Sequence, residues 1–235
     1  MADLSVSVPA AAAPSFSAEA LAELDARFAA GGGDPTEIIG WFAETFPLER
    51  VCVASAMTSD VVLVDVVSKI IPGIEVVFLD TGYHFAETLT TLETVGRRYP
   101  VRLAVQPAPP IGDRRYEHDP DGCCHERKVV PLERALAGKA AWIAGMRRSD
   151  STVRADTPFV QLDKRGLVKI NPLATWTDDD LATYAQLHEV PMNPLLEQGY
   201  PSIGCWPCTR KPADGEDARA GRWSGHAKTE CGLHL

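Results

Sequence analysis

The sequence predicts an α/β fold with a doubly wound, mostly parallel sheet. Short apolar runs alternate with helical segments from residue 51 onward, the pattern of strands linked by crossover helices. Length agrees: 235 residues with 45% hydrophobic side chains can build the core of one domain, or of one domain with an appendage.

The elements follow in order. Ser17 caps a helix whose apolar face is Leu21, Leu24 and Phe28, spaced i, i+3 and i+7. The run Gly31-Gly32-Gly33-Asp34-Pro35 breaks it, and a second helix passes through Ile38, Ile39, Phe42 and Phe46. Residues 51–54 form the first strand, 55–59 a loop, and 60–70 an apolar helix with Ser59 as its candidate cap. A second strand over 75–79 ends in Asp80-Thr81-Gly82. A helix over 84–98 leads to a third strand over 101–105. Residues 106–122, rich in Pro, Gly and charge, read as a loop, and 127–137 as a helix. A strand over 140–144 precedes Gly145 and Arg147-Arg148. Residues 159–170 form a hairpin turning at Lys164-Arg165-Gly166. Thr177 caps a helix that opens with Asp178-Asp179-Asp180, charges that suit its dipole. From Val190 the chain reads as Pro/Gly-rich loop. Right-handed crossovers bring three loops (55–59, 80–82 and 145–154) to one sheet edge, where open α/β sheets bind ligands.

No apolar run approaches the ~20 residues of a membrane span. Gly and Pro together are 36 of 235 residues, which excludes collagen-like chains and general disorder. Residues 1–14 lack the basic and apolar regions of a signal peptide, so a leader and a cytoplasmic location are expected. The net charge of −9 argues against a nucleic-acid or membrane binder. It averages two unlike halves: residues 1–122 carry net −10 and residues 123–235 net +1. Five of six cysteines lie in the second half, at Cys123, Cys124, Cys205, Cys208 and Cys231. Clustered cysteines in a reducing compartment read as metal ligands or redox groups.

Four thiols in Cys123-Cys124 and Cys205-Trp206-Pro207-Cys208 suit an iron–sulfur cluster, a zinc ion or a dithiol role. The adjacent pair fits the spaced knuckles of structural zinc poorly. Cys231, four residues from the last residue of the chain, is placed to react in a site and swing out to a partner. Arg127-Lys128, Arg147-Arg148, Arg154, Arg210-Lys211, Arg219 and Arg222 flank these features, and arginine forks suit phosphate and sulfate. The amides after the first strand offer a second, weaker phosphate site. Cys52 reads as core, Asp60 and Asp65 as cap and solvent residues, and Trp176, Trp206 and Trp223 as packing residues.

Taken in order, Cys123-Cys124-His125-Glu126-Arg127-Lys128, Gly204-Cys205-Trp206-Pro207-Cys208-Thr209-Arg210, Gly221-Arg222-Trp223 and Glu230-Cys231-Gly232-Leu233-His234 resemble the adenylyl-sulfate reductases. These are thioredoxin-dependent enzymes of assimilatory sulfate reduction, related to the phosphoadenylyl-sulfate reductases. Leu79-Asp80-Thr81-Gly82, Gly145-Met146-Arg147-Arg148, Thr152-Val153-Arg154-Ala155 and Asn171-Pro172-Leu173 add to the match. The resemblance implies an adenine-nucleotide α-hydrolase-like sheet with a mobile C-terminal tail. The chain is expected to divide into a leader with helices (1–48), a reductase domain (49–222) and a tail (223–235). The resemblance implies a [4Fe-4S] cluster on Cys123, Cys124, Cys205 and Cys208, and Cys231 as nucleophile toward adenylyl sulfate. It further implies substrate contacts from Lys128, Arg154, Arg219, Arg222 and His234, with Ser55, Leu79 and Gly145 lining the adenosine site. Thioredoxin is the implied partner, and a homo-oligomer stays open. The competing readings are a phosphoadenylyl-sulfate reductase and a nucleotide-binding protein with a structural zinc site made of four cysteines. The loop 55–60 lacks the Ser-Gly-Gly-x-Asp-Ser pattern of ATP pyrophosphatases of this fold.

Overall fold

The apolar runs pair into one six-stranded sheet in the computed structural model, which describes residues 14–223, 226, 228 and 230–233. The strands are β1 (Val51–Ala54), β2 (Glu75–Asp80), β3 (Arg102–Pro107), β4 (Ala141–Ala144), β5 (Val160–Leu162) and β6 (Val168–Ile170). Their order is β3-β2-β1-β4-β6-β5. All neighbours are parallel except β5, which pairs antiparallel with β6 across the expected hairpin. The chain winds outward from β1 to β3, then returns to place β4 on the other side of β1. The switch point between β1 and β4, where an open sheet forms its crevice, follows from that reversal. Val51 to Ala54 face Ala141 to Ala144 in register, so both strands end at the same height.

Helices α1 (Ala18–Ala30) and α2 (Pro35–Thr45) start as their sequences require, with Ser17 accepting from Ala20 N–H and Asp34 from Thr36 N–H. Leu21, Leu24, Phe28, Ile38, Ile39 and Phe42 join the same core as the sheet residues Val53, Val76 and Ile143. Asp25 ties α1 to the sheet edge: its Oδ1 accepts from Phe159 N–H at 2.6 Å and Val160 N–H at 3.2 Å. Helix α3 (Val61–Ile70) is buried almost all round, as its unbroken apolar run requires. Helix α4 (Ala86–Arg98) follows β2, and α7 (Asp178–Leu187) packs on α3 and opens with the Thr177–Asp180 capping box. Among the described residues no helix is long and apolar enough to cross a membrane.

Three expectations change. Of the two caps the sequence offers for α3, Asp60 holds the position and Ser59 does not. Asp65 is 2% exposed instead of facing solvent, because Tyr184 O–H on α7 donates to it at 2.7 Å and Lys69 pairs with it. The helix expected over 127–137 begins earlier, as α5 (Pro120–Cys124), with Pro at its start and Asp119 accepting from Gly122 N–H. It passes through a π-helical turn, His125–Val129, into α6 (Val130–Leu136). Cys123 and Cys124 therefore sit on a helix.

Asp25→Ala leaves two buried-edge amides without an acceptor. A loss of about 1–3 kcal/mol in urea unfolding is expected, with Asp25→Asn recovering most of it.

Candidate active site

A cleft of about 240 Å³ opens at the C-terminal ends of β1, β2 and β4. Ser55, Leu79, Lys128, Gly145, Arg154, Arg219, Arg222, Cys205 and Cys231 all line it, from segments far apart in the chain. His234 lies outside the described residues. Gly145 lets the loop after β4 lie against the start of α3, since a Cβ there would stand 3.0 Å from Asp60 Cβ and 3.5 Å from Leu63 Cδ2. The loop after β1 is folded on itself. Asp60 takes the N–H groups of Ala56 at 2.6 Å and Thr58 at 2.9 Å, and Ser55 Oγ accepts from Met57 N–H at 3.2 Å. The expected phosphate cradle on these amides is thus already filled by a carboxylate, while Ser55 keeps its place at the cleft wall.

Beside the cleft, Cys123, Cys124, Cys205 and Cys208 line one small cavity. Helix α5 and the π turn bring the first pair inward together with Arg127 and Lys128. Such turns widen the helix locally and recur at functional sites. Gly122 makes room for the Arg115–Asp119 pair, since a Cβ there would meet Arg115 Nη2 at 2.0 Å. The second pair is held by Trp206 N–H donating to Tyr83 O at 2.8 Å, and by Thr81 Oγ1 lying 3.3 Å from Cys205 Sγ. Arg127, 2% exposed, braces both sides. It donates to the carbonyls of Thr81, Pro109 and Pro110 and lies 4.8 Å from the Tyr83 ring centre. Burial pushes the Cys123 and Cys124 thiols up, and burial with the neighbouring sulfurs pushes Cys208 up to about 11. Among the described residues no group of three or more His, Cys, Asp or Glu is arranged to hold a metal ion. Four soft donors around one cavity suit a polynuclear iron–sulfur group, which takes each thiolate on a different iron.

The cations divide by partner. Burial works against the Lys128 ammonium, but Cys205, Cys231 and Cys124 outweigh it and raise its pKa. Arg222 is lowered by burial and then by Arg219. Its guanidinium lies 4.5 Å from the Trp223 ring centre and donates to Ile203 O at 3.1 Å. That placement needs Gly204, because a Cβ there would meet the Arg222 guanidinium at 2.2–2.9 Å. Gly221 is needed for a harder reason: a Cβ would stand 2.0 Å from the Arg210 carbonyl oxygen. Arg154 gives Nε and Nη2 to Glu230 and Nη1 to Asp150. Burial raises the Glu230 carboxyl, yet the Arg154 bonds and the charges of Arg154, Arg219 and Arg222 hold it below the usual range.

The sequence alone did not single out Thr81, Tyr83 or Glu230, although Thr81 and Glu230 stand inside quoted motifs. Trp206, expected to be packed, is 50% exposed and meets Tyr83 and Tyr116 by its edge. The described part of the tail is docked, with Cys231 and Leu233 on the cleft wall.

Gly204→Ala displaces a flexible side chain and not backbone. It is expected to leave the fold intact and to cost about 1 kcal/mol in urea unfolding, the loss of the Arg222–Ile203 hydrogen bond.

Comparison with known proteins places this geometry. The phosphoadenosine phosphosulfate reductase domain matches residues 49–211. Adenosine 5'-phosphosulfate reductase of Streptomyces coelicolor is 50% identical over 207 residues, covering 84% of this chain and 87% of the relative. The Rhodococcus opacus protein of the same name is 46% identical over 235 residues, covering 91% and 94%. Among solved structures, phosphoadenylyl-sulfate reductase from Candida auris, a phosphate complex, superposes with a TM-score of 0.73 at 27% identity. That match covers 83% of this chain and 98% of that one. FMN adenylyltransferase of Candida glabrata, at 14% identity and a TM-score of 0.56 over 84% and 69%, shares the fold alone. With the strand order, the crevice and the relatives in agreement, the chain belongs to the phosphoadenosine phosphosulfate reductase family.

Proposed function

We propose that the protein reduces adenosine 5'-phosphosulfate to sulfite and AMP, with a reduced thioredoxin as electron donor. The observation that carries this reading is the presence of Cys231 on the same cleft wall as Lys128, Arg219 and Arg222. A thiol nucleophile and a doubly anionic ligand repel each other, and these cations offset the repulsion. The adenosine lies toward Ser55, Leu79 and Gly145 at the β1/β4 switch point, and the phosphosulfate toward the cations.

The Cys231 thiolate attacks the sulfate sulfur. A bond forms between Cys231 Sγ and that sulfur, and the bond from sulfur to the bridging oxygen breaks. AMP leaves with the electron pair, stabilised by the same cations. Cys231 then carries an S-sulfonate. A thioredoxin thiolate attacks Cys231 Sγ, and sulfite departs with the electron pair of the S–S bond. The second thioredoxin thiol closes the thioredoxin disulfide and returns Cys231 as thiolate. Two electrons pass from the dithiol to sulfur. His234, next to this segment in sequence, is assigned to the phosphosulfate through the family motif.

Cys123, Cys124, Cys205 and Cys208 would hold a [4Fe-4S] cluster. When bound, it supplies a rigid charged group that ties α5 to the 205–208 segment and shapes the field at Lys128. Support comes from the donor set around one cavity, with Lys128 lining both that cavity and the cleft. The cysteine set also favours adenylyl sulfate, since the phosphoadenylyl-sulfate enzymes generally lack it.

Anaerobic protein is expected to be brown, with about four iron and four sulfide per chain. A colourless preparation holding one zinc, under conditions that preserve clusters, would refute the cluster. Cys231→Ser is expected to bind adenylyl sulfate and produce no sulfite with thioredoxin. Sulfite production at the wild-type rate would remove Cys231 from the mechanism. The ratio of kcat/KM values should favour adenylyl sulfate over phosphoadenylyl sulfate by about a hundredfold. Equal values would overturn the choice of adenylyl sulfate.

A further inference from the structure

The segment that carries Cys231 is tied down at three points. Lys228, with 10% of its side chain exposed, pairs with Asp121 on α5 and stands 5.7 Å from the Trp223 ring centre. Leu233 packs against the apolar cluster that holds Leu132 and Trp142. Between these, next to the thiol, the Glu230 carboxylate receives Arg154 Nε at 2.9 Å and Nη2 at 2.7 Å. Arg219 Nη2 stands 3.5 Å from the same carboxylate.

The Glu230–Arg154 fork is unlike an exposed ion pair. The two side chains are only 10% and 12% exposed, and the contact is two-pronged, so water competes weakly and the geometry is directional. Its far side is rigid. Arg154 Nη1 bonds Asp150 at 3.0 Å, and Asp150 also holds Arg147, which bonds Asp178 at the start of α7. The tail is therefore anchored to the loop after β4 and, through it, to the body of the fold. Consecutive Cα atoms are ~3.8 Å apart, so a fixed Glu230 leaves Cys231 little room to wander. The same bonds engage every nitrogen of Arg154 with a carboxylate, whereas Arg222 gives Nη1 to the neutral oxygens of Ser202 and Ile203 and lies over the Trp223 ring.

We propose that Glu230 is a positioning residue: its fork with Arg154 latches the tail so that Cys231 faces the cations of the cleft. Resting on the reductase reading above, this assigns Arg154 to holding the nucleophile's segment. Nucleotide charge is left to Lys128, Arg219 and Arg222. Without the latch the tail lifts, the thiol meets solvent more often and the attack geometry is lost.

The test uses anaerobically prepared full-length protein, Glu230→Ala and the near-isosteric Glu230→Gln, which keeps the size and removes the charge. Three readouts are compared with wild type: iodoacetamide alkylation of Cys231 in the free protein, followed by peptide mass spectrometry; single-turnover sulfonation of Cys231 by adenylyl sulfate at saturating concentration; and the Kd of AMP. Alkylation is expected to quicken about tenfold, and sulfonation to slow by about ten- to a hundredfold, the scale of a small misplacement of reacting atoms. AMP binding should not weaken, because every cation of the cleft remains and Arg154 and Arg219 lose a competing carboxylate. Unchanged alkylation in both variants, or faster alkylation with unchanged sulfonation, overturns the proposal. So does loss of AMP binding in parallel with sulfonation, which would make Glu230 part of the nucleotide site. Wild-type protein that is alkylated at Cys231 but never sulfonated would refute the reductase reading, while alkylation of the variants would still decide the latch.

Discussion

Lys128, Arg154, Arg219 and Arg222 line one cleft of about 240 Å³, and four cations at that spacing repel one another. Each is also partly stripped of water, which penalises its charge further. The surrounding structure answers both costs with partners from different parts of the chain. Cysteine sulfurs on α5, the 205–208 segment and the tail face Lys128. The tail's Glu230 and the loop's Asp150 take Arg154. Trp223 and the carbonyl of Ile203 take Arg222. The cleft is consequently an assembly product. Removing the tail, α5 or the 201–223 segment would leave a buried cation short of a partner.

The sheet supplies the frame. Pairing β1 with β4 in register sets two loop origins side by side, and Gly145 lets the loop after β4 close on α3. The motif glycines have comparable physical reasons. Gly204 leaves space for a guanidinium, and Gly221 for a backbone carbonyl. These residues bind nothing through a side chain, yet they determine where the charged groups can stand. The acidic first half of the chain and the near-neutral second half are consistent with this division between scaffold and site.

Much of this was legible in the sequence because it depends on local chemistry. The i, i+3, i+7 stripe of α1, the Thr177 cap of α7 and the apolar run of β1 each follow from a few neighbouring residues. The misreadings arise where a distant partner decides burial or where a short element leaves no periodic signal. Asp65 is drawn into the interior by Tyr184, 119 positions on, and by Lys69 beside it. Helix α5 was hidden in a polar stretch, since Asp119 and Pro120 mark its start but its short apolar content gives no period. The π turn that brings Arg127 and Lys128 inward has no signature in composition or spacing.

From the amino-acid order alone came the α/β class, the succession of helices and strands and the chemistry available: six thiols, a set of arginines and no glycine-rich phosphate loop. The family motifs further named the residues expected to act together. Which charges meet became visible only in the folded chain. The loop amides after β1 are taken by Asp60, Arg127 is buried as a brace, and Arg154 is claimed by Glu230 across 76 positions. The reason is physical. Element formation is governed by near neighbours, whereas the partner of a buried charge is selected by desolvation, which acts only once the chain has closed around it.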